Sequence, residues 1–350
     1  MLQENDPTVS RSATGTGKAG GQPGGADAAS ARPSGPLTGA EAGGTTAATA
    51  VTGRQSRFQK LFRSEQTLFL LFILPNLVLF TTFSFWPLFF NVYLSLTSWN
   101  FLTPTRDFIG LDNYRYLFGN NEFWTVMRTT LIYTIGAVGG AVSLGLLSAL
   151  LLNQKLKFRT PVRAMIFAPT LLSGVAISIV WFYIFDPRVG LLREMLGWIG
   201  VGSPPWLRDP QWALVSVIIV YVWKNLGFAA VIYLAGLQGI PKDLYEAAKV
   251  DGANAFQRFF AVTWPQLGSI HFFVMVTSIL GTLQSFDIIR TLTAGGPVNA
   301  TTNLIYYTYQ QSFINNNAGR GASAAMVLFA VMLAVTVIQY RISERRTHYA

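Results

Sequence analysis

Six stretches of this chain are longer and more apolar than one face of a soluble core requires. That blocking constrains the fold more than any other feature. A helix crosses the hydrocarbon core of a bilayer with roughly 20 mostly apolar residues. By that measure spans are expected over Thr67–Leu96, Val126–Leu152, Arg163–Phe185, Trp212–Leu237, Leu267–Ile289 and Ala324–Tyr340. A lipid-immersed segment must satisfy its backbone internally, so each stretch reads as a helix and the chain as an all-α membrane protein of about six spans. Pro75 and Pro87 lie inside the first stretch, which is expected to kink or to break near Trp86-Pro87. Composition agrees. Hydrophobic residues make up 51% of the 350 and charged residues 12%, about half the charged share of a soluble domain.

The formal net charge of +10 does not point to nucleic acid, because the basic residues sort by loop. Arg54, Arg57, Lys60 and Arg63 precede the first stretch, and Lys155, Lys157, Arg159 and Arg163 crowd the link between the second and third. Lys242, Lys249 and Arg258 lie between the fourth and fifth, and Arg341, Arg345 and Arg346 follow the sixth. The alternate loops are longer and poorer: Arg106 and Arg115, then Arg188, Arg193 and Arg208, then Arg290 and Arg320. The positive-inside rule places both termini in the cytoplasm, as an even number of spans requires. Trp86, Trp99, Trp124, Trp181 and Trp206 fall near expected span ends, where an aromatic belt sits.

Residues 1–62 are rich in Gly, Ala, Thr, Ser and Pro and are expected to form a disordered cytoplasmic tail ahead of a membrane domain over 63–346. Thr14-Gly15-Thr16-Gly17-Lys18-Ala19 imitates a phosphate loop, but lacks the leading Gly and the Ser or Thr after Lys18. The chain has no cysteine, which excludes disulfides, thiolate metal sites and cysteine nucleophiles.

The loop from Ile240 to Leu267, IPKDLYEAAKVDGANAFQRFFAVTWPQL, is more than a connector. It describes two short helices. Pro241 suits the first helical position, and Asp243 and Glu246 favour that helix's positive end. Leu244, Ala247, Ala248 and Val250 give a small apolar face, and Gly252 suits a left-handed closing residue. Asn254 and Gln257 have capping-box spacing for a second helix, whose apolar side is Phe256, Phe259, Phe260 and Val262. Such a pair is suited to dock on another protein; the alternative is a helix lying on the membrane surface.

Glu246-Ala247-Ala248, Asp251-Gly252-Ala253, Gln257, Phe259 and Trp264-Pro265 closely resemble the EAA loop, which marks the membrane subunits of binding-protein-dependent ABC importers. SFDIIRTLTAGGP, from Ser285 to Pro297, with Thr301-Thr302 and Tyr306 to Tyr309, is similar to the carbohydrate-uptake, maltose-type branch, as is FIGLDNYRYLF from Phe108 to Phe118. The likeness covers roughly Arg63 to Arg346; Trp264 stands where that family usually has Leu. It implies a type I importer permease fold in a bacterial-type plasma (inner) membrane, with an EAA coupling loop over 240–267. Its implied partners are a second permease, usually a different chain, two ATP-binding subunits and an extracytoplasmic solute-binding protein. No cofactor would be bound by this chain, since ATP would be used by the partner subunits. Glu246, Ala247, Ala248, Asp251 and Gly252 would couple to the ATP-binding subunit, Glu246 pairing with a basic group and Gly252 permitting the turn.

A sugar path needs hydroxyl or amide groups near the midplane. Lys224, Asn225 and Gly227 in the fourth stretch, and Ser278, Thr282, Gln284 and Ser285 in the fifth, interrupt otherwise apolar runs. On the resemblance, Ser278, Thr282 and Ser285 fall where maltose-type permeases hold sugar-contacting residues, and Asn225 and Gly227 match less securely. The competing reading is that these groups only bond neighbouring helices. Lys224 either lines a wet cavity or snorkels, and Asp287 and Arg290 are placed to pair with each other. His271 and His348 lack metal-ligand spacing, and no catalytic arrangement is evident, so the chain reads as a transporter component and not an enzyme. The rival function is an ion-coupled secondary transporter, which would usually show internal repeats and buried carboxylates.

Overall fold

The computed structural model describes residues 65–154 and 157–347. The expected tail, its imitation phosphate loop and Lys155 lie outside the described residues. The first expected span is helix α1 (Glu65–Phe80), a π turn (Thr81–Phe85) and α2 (Trp86–Ser95). It does not break at Trp86-Pro87. Proline has no N–H and its ring displaces the carbonyl four residues back, here Phe83, so the ladder widens into the π turn and the helix runs on. Pro75 sits within regular α1. Trp86 therefore lies inside a span, Phe69–Ser95, and not at its end. The apolar side chains from Phe69 in α1 to Phe83 in the π turn are exposed, while α2 packs on the last helix.

A two-residue hairpin, β1 (Thr97–Ser98) paired antiparallel with β2 (Asp107–Phe108), leads into α3 (Asp112–Gly119). The buried Asn113 amide holds this corner, donating to the carbonyls of Ser95 and Thr97 at 2.9 Å each.

The body is built on α4 (Asn121–Leu152) against α8 (Pro210–Gly239). Small residues let the two approach, as is usual where lipid removes the hydrophobic drive between helices. An added Cβ at Gly136 would stand 2.8 Å from Ile218 Cδ1, at Gly140 2.6 Å from Val222 Cγ2, and at Gly145 2.6 Å from the Ala229 Cβ. Towards one end, Leu146, Ala149 and Leu152 of α4 bury with Tyr233, Leu234 and Leu237 of α8 and with Leu267. Further along, Tyr133, Ala137, Val217, Val220 and Tyr221 form a second cluster with Ile177, Ile288 and Tyr306.

Among the described residues four segments are long and apolar enough to cross a membrane alone: Phe69–Ser95, Asn121–Leu152, Pro210–Gly239 and Ala318–Ile342. The third expected span is instead bent, and a second bend lies where the fifth begins. α5 (Arg159–Leu171) and α6 (Gly174–Ile184) meet at 103°. Leu172 and Ser173 between them are both extended, at ψ 150° and 136°, so the chain turns where a straight span was expected. α7 (Leu191–Trp198) follows before α8.

After α8 come α9 (Lys242–Val250), α10 (Ala255–Arg258), a π turn (Phe259–Thr263), α11 (Trp264–Gln266) and α12 (Gly268–Leu283). The run Ala255–Gln266 meets α12 at 69°. Pro265 follows this π turn just as Pro87 follows the first. The expected fifth span begins correctly near Leu267 but ends at Leu283, not Ile289. Gln284 to Phe286 leave the helix, and α13 (Asp287–Leu292) starts anew. Beyond a tight loop come α14 (Leu304–Tyr309), a third π turn (Gln310–Ile314) and α15 (Ala318–Thr347).

Candidate coupling loop and polar cluster

The loop between α8 and α12 folds into the two helical pieces its sequence describes. Pro241 is the residue before α9, one position earlier than expected, with φ −57° already suited to the helix. Asp243 lies in the first turn of α9 and Lys249 in the last, each matching the helix dipole. Gly252 closes it at φ +80°. The Ala253 N–H donates to the Ala248 carbonyl and the Gly252 N–H to that of Lys249, both at 3.0 Å. This is the Schellman pattern that satisfies the last carbonyls of a helix. Two residues on, the Asn254 side chain accepts from the Gln257 N–H at 2.9 Å, and Gln257 Oε1 accepts from the Asn254 N–H at 2.8 Å. The capping box is present.

This corner leaves α9 without a buried residue. Glu246, Ala247, Asp251 and Gly252 are exposed and Ala248 is half-buried. Val250 is 87% exposed and Phe256 73%, an uneconomic display of apolar surface for a helix pair that ends in water. Tyr245 and Phe259 face inwards onto the α4–α8 core.

The five residues expected along a substrate path do not form one lined face. Thr282 is fully buried and donates to the Ile279 carbonyl at 2.7 Å, within its own helix. Ser285 lies beyond the end of α12, in the break, where its hydroxyl accepts from Tyr133 Oη at 2.9 Å. Ser278 is half-buried, and its carbonyl accepts from Tyr221 Oη at 3.4 Å. The Asn225 amide donates to the Tyr221 carbonyl at 2.9 Å. Gly227 is a packing position: a methyl there would collide with the Ile166 carbonyl of α5. Lys224 is half-buried, and its carbonyl accepts from Thr170 Oγ1 at 3.0 Å, which ties α5 to α8.

The structure gathers groups that the sequence kept apart. The rings of Tyr133 and Tyr221 meet edge to face at 5.8 Å, and the Asp287 carboxylate lies against Gly174, the first residue of α6. Asp287 and Arg290 form no ion pair, contrary to expectation. Among the described residues the ion pairs are Arg115–Asp112 and Arg193–Glu194. The Arg290 guanidinium lies instead 5.6 Å from the centre of the Tyr309 ring. Tyr133 and Tyr221 were not anticipated. The available signal was a tyrosine inside an apolar run, since a buried phenol usually seeks a partner.

Outside the bundle, the loop after α6 is pinned by Asp186. Its carboxylate accepts from the Arg188 and Val189 N–H groups at 2.7 and 3.0 Å. Those donors hold its carboxyl below the usual carboxylate range.

Comparison with known proteins agrees with this geometry. Residues 141–349 match the family described as binding-protein-dependent transport system inner membrane component. The chain is 33% identical to a probable ABC transporter permease protein of Pyrococcus horikoshii, over 77% of this chain and 92% of that one. It is 32% identical to the multiple sugar-binding transport system permease protein of Streptococcus mutans, over 78% and 94% respectively. Its fold is similar to that of a chain in the crystal structure of a bacterial ABC transporter involved in the import of the acidic polysaccharide alginate. That match has a TM-score of 0.70 at 24% identity and covers 83% of this chain and 99% of the other. With four unbroken spans, two bent pairs and an exposed capped loop already in place, this chain belongs to the binding-protein-dependent transport system inner membrane components and is a multi-pass ABC transporter permease.

Proposed function

We propose that this permease translocates a sugar or related solute handed over by an extracytoplasmic binding protein, with both termini in the cytoplasm of a bacterial-type cell. α9 docks in a groove of an ATP-binding subunit, and ATP hydrolysis belongs to that subunit. Glu246 meets a basic group there, Ala247 and Ala248 allow close approach, and Asp251 and Gly252 form the corner. A second permease chain completes the path. The observation that carries this reading is the corner itself. A helix with no buried residue is held rigid by a Schellman closure and a capping box, which fits a lever seated in another protein better than a surface connector. The sugar assignment is supported by the multiple sugar-binding system of the Streptococcus relative and by the sequence likeness of Ser285 to Pro297. On this reading Asn225, Ser278 and Ser285, with Tyr133, Tyr221 and Asp287, supply polar atoms to the solute, and Gly227 and Thr282 shape the wall behind them.

The test is ATPase activity of the reconstituted complex, stimulated by binding protein loaded from a panel of mono- and oligosaccharides. Glu246→Lys should abolish stimulated hydrolysis and uptake while the subunits still co-purify. Uptake that persists without any ATP-binding subunit and ignores this substitution would sink the reading.

A further inference from the structure

Between α9 and the membrane the backbone has two weak places. The π turn Phe259–Thr263 widens the hydrogen-bond ladder, and the 69° bend follows at Leu267. At the bend the Leu267 N–H donates to the Thr263 carbonyl at 3.1 Å, and the His271 N–H to the Leu267 carbonyl at 2.7 Å. A lever with two soft joints in series would flex there before it moved a membrane helix.

Side chains bridge both joints. Tyr245 Oη, on α9, shares a 3.0 Å hydrogen bond with Thr263 Oγ1, the buried last residue of the π turn. The next residue, Trp264, sets its ring 4.9 Å from that of His271, on α12 beyond the bend. His271 Nδ1 in turn shares a 2.6 Å hydrogen bond with Tyr233 Oη of α8, and Tyr233 is fully buried in the α4–α8 core. We propose that Tyr245, Thr263, Trp264, His271 and Tyr233 form a lock that fixes α9 to α8 and α12 as one rigid body. They are positioning residues for coupling, and nothing in the solute path is required of them. The proposal rests on the reading of α9 as the docking helix.

The lock gives a role to the one hydroxyl on α9, which is spent on the π turn instead of on a docking surface. Apolar packing of Tyr245, Phe259, Val262 and Ile270 on the same core is the competing means of holding the joint, and the experiment separates the two.

The chain has no cysteine, so Lys242→Cys on α9 and Phe273→Cys on α12, both exposed, give it a single spin-label pair when it is assembled with cysteine-free versions of its partner subunits. Label distances are measured by pulsed electron resonance on the complex with its ATP-binding subunits, nucleotide-free and trapped with Mg-ATP and vanadate. With the lock intact, one narrow distance should persist in both states. Tyr233→Phe and His271→Leu should each raise a second, displaced component about threefold to tenfold, the equilibrium ratio that one net hydrogen bond sustains. The double variant should do no more than His271→Leu alone, because that change already removes the bond to Tyr233. His271→Asn, whose amide oxygen can accept at the place of Nδ1, should restore the narrow distance. Distances unchanged by Tyr233→Phe and His271→Leu, or an Asn variant no better than Leu, overturn the lock in favour of apolar packing. Glu246→Lys in the same complex reports on the docking reading separately: if it leaves stimulated ATPase intact, that reading falls whatever the distances show.

Discussion

Tyr133 and Ser285 stand 152 positions apart and share a 2.9 Å hydrogen bond inside the helix bundle. The bond fastens the middle of α4 to the break after α12, and it works together with the Asn303 amide, which donates to the Ser285 carbonyl at 2.9 Å. A carbonyl freed by ending a helix inside a membrane body costs energy unless it finds a donor. Asn303 is that donor, and Tyr133 holds the side chain of the same residue.

The two halves of this bond should not be equivalent. Tyr133→Phe leaves a serine that can turn to a carbonyl, and should cost about 0.5–1.5 kcal/mol. Ser285→Ala leaves a buried phenol without an acceptor, and should cost more, about 1–3 kcal/mol. Denaturant or thermal unfolding of the purified protein in detergent measures both. Equal losses would mean that the hydroxyl pair contributes little and ring packing dominates.

Adjacent glycines of α4 should respond with opposite signs. A methyl at Gly140 would press on Val222 Cγ2 at 2.6 Å, whereas nothing lies within 4 Å of one at Gly139. Gly140→Ala should destabilise by roughly 1–3 kcal/mol through overpacking. Gly139→Ala should be neutral or stabilise by up to about 1 kcal/mol through reduced backbone freedom. Thermal denaturation of the two variants side by side is sufficient.

At Gly252 nothing crowds an added Cβ, so any penalty there is one of backbone conformation at φ +80°. Gly252→Val should cost roughly 1–2 kcal/mol for an L residue held left-handed. Gly252→Asn should lose less, because Asn visits that region more readily. Hydrogen exchange of the Gly252 and Ala253 amides should rise in the Val variant and stay near the wild-type rate in the Asn variant.

The turn after α6 should be acid-sensitive. Because the carboxyl of Asp186 is held below its ordinary value, its contribution is complete above the unfolded pKa of about 3.9. It disappears as the pH falls through the lowered folded value. Protection of the Arg188 and Val189 amides, corrected for intrinsic exchange, should fall in that acid window. In Asp186→Asn the amide oxygen still accepts but does not titrate, so protection should stay flat.

What the sequence determined by itself is what depends on residues near one another in the chain. Runs of apolar side chains identify helices wherever a bilayer is the solvent, because composition over a window of about 20 residues is all that partitioning requires. The corner at Gly252 and Asn254 was equally legible, since a left-handed closure and a capping box are local contracts among neighbours three to five positions apart. Tertiary structure alone decided whether an apolar run stays straight. Arg163–Phe185 and Leu267–Ile289 have the composition of spans, yet Leu172 and Ser173 turn the first, and the second ends where Tyr133 and Asn303 can satisfy the groups released at Ser285. It also decided which polar groups in a span serve as packing and which converge. Gly227 lies against a backbone carbonyl of α5, and the Asp287 carboxylate meets Gly174 instead of Arg290. Those outcomes depend on partners 50 to 150 residues away, whose distance in the chain leaves no trace in any local pattern.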